Sequence, residues 1–194
     1  MAASDAARPT VLRAGHLHEP FVGADGQPLE RIMFGATWDD AGFDIDMCAV
    51  LTDPSGHIMN PRGFVYRRNR STSDNAVFVV WKQPGEEAGI DRAQVLINLS
   101  AIDPAITAVT VAFTAAMRGR PLGEAGRVRT RVMELSSGRT PFVFSPPKDV
   151  YAQSRCMELW KLERFPDGWS LSALGRPYPG GPSAFAQDHG FRPS

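Results

Sequence analysis

Cysteine is nearly missing from this chain: its 194 residues hold two, Cys48 and Cys156. Two cysteines without a Cys-x-x-Cys spacing exclude a disulfide framework. Both sit in apolar, strand-like runs, where a buried and reduced thiol is expected. Net charge is missing too, because 21 basic residues balance 21 acidic ones. No global field therefore draws the chain to a nucleic acid, and no nucleic-acid partner is expected. No apolar run approaches the ~20 residues that span a bilayer. Met1 to Thr10 is small and polar, without the apolar core of a signal peptide. These absences predict a cytoplasmic chain with no transmembrane segment, while peripheral membrane association stays open.

Catalytic signatures are absent as well. There is no His-Glu-x-x-His, no Gly-x-Ser-x-Gly, no phosphate-binding loop and no Gly-x-Gly-x-x-Gly. Serine, histidine and aspartate all occur, but no motif joins them, and no enzyme activity is expected. His16 and His18 share one face of a strand without a third ligand pattern, so they read as a solvated N-terminal segment.

What is present is a core. The chain is 43% hydrophobic and 22% charged, ample for one folded domain of this length. Strand signals recur at Arg31 to Phe34, Phe43 to Leu51, Phe64 to Tyr66, Ala76 to Trp81, Val95 to Leu99 and Ala108 to Phe113. They continue at Val128 to Leu135, Pro141 to Phe144, Arg155 to Glu163 and Trp169 to Leu174. Turn residues punctuate them, as at Asp53-Pro54-Ser55-Gly56 and Pro166-Asp167-Gly168. Roughly ten short strands between turns predict an all-β, two-sheet antiparallel β-sandwich. Arg155 to Leu174 reads as a β-hairpin with Met157, Leu159, Lys161 and Glu163 on one face. Cys156, Glu158, Trp160 and Leu162 then take the other. Arg118 to Arg127 reads as a loop or a short helix end. Ser183 to His189 is expected to add a short C-terminal helical segment. Residues 1–9 are expected to be disordered, 10–190 to form a single domain and 191–194 a tail.

One strand carries chemistry. In Phe43-Asp44-Ile45-Asp46-Met47, alternation puts Asp44 and Asp46 on one face and the apolar residues on the other. Two carboxylates roughly 7 Å apart along a strand repel unless a positive charge sits between them. A hard cation such as calcium is the usual answer.

Trp38-Asp39 followed by Phe43-Asp44-Ile45-Asp46-Met47-Cys48-Ala49 resembles the Trp-Asp … Phe-Asp-Leu-Asp-Ala-Ser-Ala signature of the TerD family of bacterial tellurium-resistance and stress-response proteins. Phe64-Val65-Tyr66-Arg67-Arg68-Asn69 and Val95-Leu96-Ile97-Asn98-Leu99-Ser100 are similar to later strands of that family. Glu158-Leu159-Trp160, Gly168-Trp169 and Gly180-Gly181 follow in the family's order, and Leu12 to His16 matches its first strand. The resemblance covers roughly residues 30–190. It implies a calcium-binding β-sandwich, a stress-response role and no catalytic chemistry.

The loop before the Val95 strand departs from the family pattern. Family members carry Gly-Asp-Asn-x-x-Gly-x-Gly-x-Gly-Asp-Asp-Glu there. Here Lys82 stands at the first loop aspartate, Arg92 at the second of the paired aspartates and Ala93 at the glutamate. Asp91 keeps its acid, and Glu86 and Glu87 are acidic but displaced. The metal candidates are therefore Asp44, Asp46, Asp91, Glu86 and Glu87, with Lys82 and Arg92 opposing them. A like charge at about 4 Å costs ~4 kcal/mol at an effective dielectric of about 20, so calcium binding is expected to be weakened or lost. Lys82 or Arg92 is expected to replace the metal charge and hold Asp44 and Asp46 in an internal salt bridge. A second function class stays in view: a metal-free interaction module that scaffolds a multiprotein or membrane-associated complex. Its protein partners would meet Arg67-Arg68 and the loop after Trp81; the bland alternatives are a solvated strand end and a tryptophan at the core rim.

Overall fold

The structure, a computed structural model, describes residues 8–18, 20–23, 25–40, 42–81, 91–116 and 119–191. Among them are twelve strands and two short helices. In chain order the strands begin with β1 (Thr10–Val11), β2 (His16–His18), β3 (Arg31–Trp38), β4 (Ile45–Thr52), β5 (Phe64–Val65) and β6 (Val77–Trp81). They continue with β7 (Ala93–Asn98), β8 (Ala108–Ala115), β9 (Val128–Glu134), β10 (Phe142–Phe144), β11 (Cys156–Phe165) and β12 (Gly168–Tyr178). Helix α1 spans Lys148–Tyr151 and α2 spans Pro182–Asp188.

All ten expected strands form, and the expected terminal helix is α2. The segment 12–16 is not itself a strand: β1 and β2 lie on either side of a turn at Gly15, whose φ of +78° suits glycine. The first sheet runs β1-β10-β9-β3-β7-β6 and the second β2-β12-β11-β8-β4-β5. Every pairing is antiparallel except β1 with β10. The two sheets enclose one core, so the strands belong to a single β-sandwich. No helix among the described residues is long and apolar enough to cross a membrane.

Trp160 is fully buried in this core, 5.8 Å from the Phe34 ring and 5.6 Å from Phe144. Its indole N–H donates to Thr130 Oγ1 at 3.1 Å, and that hydroxyl donates to the Phe144 carbonyl at 2.8 Å. A buried polar chain is thus closed without an orphan group.

The face assignment of β11 needs correction. A bulge between Glu158 and Trp160 adds one residue to the strand. Cys156 therefore faces outward, whereas Met157, Leu159, Trp160 and Leu162 all join the inter-sheet core. Strict alternation had put Trp160 and Leu162 with Cys156 and Glu158, and the bulge shifts the phase midway.

A second, smaller core covers the outer face of the second sheet. Cys48, Val50, Phe64, Ala112, Cys156 and Tyr178 pack there beneath Phe185 and Ala186 of α2. Gly181 at φ +76° turns the chain into that helix, with Pro182 in its first turn. Both cysteines are free and buried, as expected. The chain continues past α2 to Phe191, whose ring lies 5.2 Å from Phe64 and edge-on to it. The expectations for residues 1–7 and 192–194 lie outside the described residues.

Candidate functional site

The turn from β3 to β4 carries the acidic signature. The Trp38 indole N–H donates to the Phe43 carbonyl at 2.6 Å, and Asp40 Oδ1 accepts from the Gly42 N–H at 2.8 Å. These bonds hold Trp38 against Phe43 and Asp40 against Gly42, and the carbonyls of Trp38, Asp40 and Phe43 converge on one guanidinium. Phe43, Ile45 and Met47 then enter the core, as alternation predicts, while Asp44 is exposed.

Arg92 fills the concave side of that turn. Its guanidinium lies 4.0 Å from the Trp38 ring centroid. It donates to the Asp40 carbonyl at 3.0 Å and, at 3.5 Å, to those of Trp38 and Phe43. Loss of water around the guanidinium pulls its pKa below the ordinary arginine value, and the Asp44 and Asp40 carboxylates push it back up. Arginine remains charged despite such a shift. A cation thus sits among carbonyl and carboxylate oxygens, and it is organic rather than metallic.

Asp46 is held by a different residue. It projects from the outer face of the second sheet and accepts from Arg67 Nη2 at 2.7 Å. Arg67 in turn lies 5.3 Å from the Trp81 ring, with Arg70 at 4.4 Å from the same ring. The expected single cation between Asp44 and Asp46 is therefore replaced by two, Arg92 near Asp44 and Arg67 on Asp46. Trp81 is half-buried, with two arginines over its ring.

Asp91 lies on the other side of the molecule. Its carboxylate is buried and takes both prongs of Arg131, Nε at 3.0 Å from Oδ1 and Nη2 at 2.7 Å from Oδ2. It rests on Gly35, where a Cβ would come within 2.3 Å of Asp91 Cγ. Gly35 and its cross-strand neighbour Arg131 belong to the outer face of the first sheet. The inter-sheet core separates Asp91 from Asp46, a span of at least about 10 Å.

Asp39 completes the set. It accepts from the Arg127 backbone N–H at 3.1 Å and from Arg129 Nη1 at 2.9 Å, and these two bonds hold its carboxyl below the usual range. Among the described residues no group of three His, Cys, Asp or Glu side chains is placed to hold a metal ion. The described part of the site does not fit a divalent ion: Asp46 and Asp91 face apart, each bound to a guanidinium, and Arg92 takes the turn's carbonyls. Lys82, Glu86 and Glu87 lie outside the described residues.

The arginines at 67, 129 and 131 were not foreseen as partners of these acids. The signal for two of them was legible: in Val128-Arg129-Thr130-Arg131-Val132 the arginines alternate with core residues and so share the outer face. Another polar group lies under α2, where His189 Nε2 is 3.1 Å from buried Glu158. The Tyr178 hydroxyl stands between Glu158 Oε1 at 2.9 Å and Asp188 Oδ2 at 2.8 Å.

A sequence model of the TerD domain matches residues 22–189. Two solved structures share the fold. One is described as the unknown-function protein SAV2460, with a TM-score of 0.68 at 16% identity. The other is described as SCO6318 from Streptomyces coelicolor A3(2), a homologue of the telluride resistance protein TerD, with a TM-score of 0.64 at 17% identity. Each likeness covers 85% of this chain and 99% of the other.

Proposed function

The chain belongs to the TerD domain family, and from that premise we propose a non-catalytic, tellurium-resistance-type stress protein in which guanidinium groups stand in for calcium. The observation that carries this reading is Arg92, seated over Trp38 and donating into the carbonyls of the β3–β4 turn. A calcium ion takes six to eight oxygens and needs its carboxylates free. To recruit them here it would have to expel Arg92 and break Asp46 from Arg67. The stress role rests on the family and on the homologue of a telluride resistance protein that shares the fold.

Thermal melting in EDTA and in millimolar calcium tests the metal half of the proposal. Superimposable curves are expected. A ligand present at a hundred times its Kd adds about 2.7 kcal/mol, so a rise of several degrees with calcium would restore a metal-binding protein.

A second reading, an interaction module, draws on β6 at the edge of the first sheet. Phe78 and Val80 are 38% and 40% exposed on the outward face of that strand. The backbone edge of β6 is already bonded to residues 70–72, so a partner would be met by these exposed apolar side chains rather than by strand pairing. Phe78→Glu should then abolish a self-association or complex seen by sedimentation with the wild type. A wild type that sediments as a monomer both alone and in its native extract would retire this alternative.

A further inference from the structure

A cleft of about 430 Å³ opens on the outer face of the second sheet, between β4, the turn after β5 and α2. Sites for small organic molecules are of this size. Among the described residues that line it are three arginines, Arg67, Arg68 and Arg155, and one acid, Asp46. Arg67 and Asp46 satisfy one another at 2.7 Å. The positive surplus therefore falls on Arg68, at the exposed turn, and on Arg155.

Arg155 stands out. Its Nε is buried and has no hydrogen-bond partner among the described residues. Its position is nonetheless fixed. The Arg155 N–H donates to the Tyr178 carbonyl at 3.4 Å, and its own carbonyl accepts from the Ala115 N–H at 2.9 Å. The side chain packs on Gly181, where a Cβ would lie 3.6 Å from Arg155 Cζ. A buried donor without an acceptor is destabilising, the more so when it is charged. The buried Nε, packed against Gly181, fixes the guanidinium in place, and Arg155 as a lining residue brings that fixed positive charge to the cleft.

The rest of the lining says what enters. Phe64 and Tyr66 stack at 4.7 Å, and Phe191 meets Phe64 at 5.2 Å, giving the cleft an aromatic wall. Guanidinium forks suit phosphate and carboxylate oxygens, while aromatic rings suit an apolar body. We propose that this cleft binds a small organic oxyanion, a phosphate or carboxylate on an apolar or aromatic body, with Arg155 as its anchor. The assignment does not rest on the calcium reading, since among the described metal candidates it touches only Asp46, which Arg67 already pairs.

Calorimetric titration with phenyl phosphate, benzoate and inorganic phosphate tests it. Phenyl phosphate or benzoate should bind the wild type, more tightly than inorganic phosphate does. Arg155→Met should weaken that binding by roughly tenfold to a hundredfold, the worth of a hydrogen bond to a charged group. Because the variant removes an unpartnered buried donor, its melting temperature without ligand should equal or exceed that of the wild type. A purely structural arginine would give the opposite shift. Arg68→Gln, on an exposed turn, provides a second variant should Arg155→Met fail to fold, and it too should weaken binding. Absence of binding at millimolar probe, or equal binding by wild type and variants, would overturn the proposal. Inorganic phosphate binding as tightly as phenyl phosphate would overturn the apolar half of it.

Discussion

Asp91 and Arg131, forty residues apart in the chain, form a two-pronged ion pair against the bare backbone of Gly35. Three strands meet at this point, because Asp91 leads into β7, Gly35 lies on β3 and Arg131 on β9. The pair stitches the central strands of the first sheet across their outer face. An acid that the family resemblance assigns to metal is thereby committed to the fold.

Arg131→Met should leave the Asp91 carboxylate buried and uncompensated. Removing one partner of a buried pair costs about 3 kcal/mol, a fall in melting temperature of roughly 6–12 °C for a domain of this size. Gly35→Ala should also destabilise, since its methyl group meets a carboxylate that Arg131 prevents from moving aside. Thermal melts of both variants check this. Curves that overlay the wild type would remove the pair as a lock.

The strands and the two-sheet architecture were legible because short apolar runs are separated by turns rich in glycine, proline or aspartate, even where β4 and β8 are buried on both faces rather than alternating. The exceptions have physical causes. The strands β1 and β2 are two and three residues long, too short for any period to register. The bulge in β11 leaves no compositional trace, so Trp160 took the wrong face on paper. For the site, the acids were legible, and so was the swap of an acid for Arg92. Which guanidinium reaches which carboxylate was not, because Arg67 on Asp46 and Arg131 on Asp91 are pairings between different strands of one sheet that only register fixes.

Arg92→Ala should separate the organic cation from the metal. The variant loses the contact with Trp38 and the bonds to three carbonyls, about 1–3 kcal/mol, and melts lower in EDTA. It also frees the oxygens around the β3–β4 turn. Calcium should then raise its melting temperature, while leaving the wild type where it was. A wild type that responds to calcium as strongly as the variant would show that Arg92 does not occupy the cation's place.

The thiols of Cys48 and Cys156 should be inert in the native state. Both are buried under α2, and burial pushes both thiols well above their ordinary range. The reactive form is the thiolate, so DTNB at pH 8 should release no colour on the timescale of mixing. Phe185→Ala opens a cavity costing about 3–5 kcal/mol between α2 and the sheet and should make both thiols react. Rapid labelling of the wild type would mean that the outer core is open in solution.

Stability should fall on both sides of a plateau between about pH 5 and 9, for opposite reasons. Asp39, Asp53 and Asp188 titrate below their unfolded value of 3.8. The stability they contribute is complete above that value and is lost as pH falls through the lower folded ones. Asp39 owes its shift first to the Arg127 N–H, Asp53 to the Ser55 hydroxyl and Asp188 to the Tyr178 hydroxyl. Tyr151 and Tyr178 move the other way, above 10.0, chiefly because they are desolvated. Above pH 10 the unfolded chain sheds those protons while the folded chain keeps them, so unfolding becomes easier as pH rises. Tyr178 is coupled to both limbs, since its hydroxyl stands between Glu158 and Asp188. Tyr178→Phe should therefore flatten the alkaline fall and also reduce the acid one, because Asp188 loses the bond that lowers it. Urea midpoints measured from pH 3 to 11 would read both changes in one variant. A Tyr178→Phe profile parallel to the wild type at both ends would show that this hydroxyl carries neither.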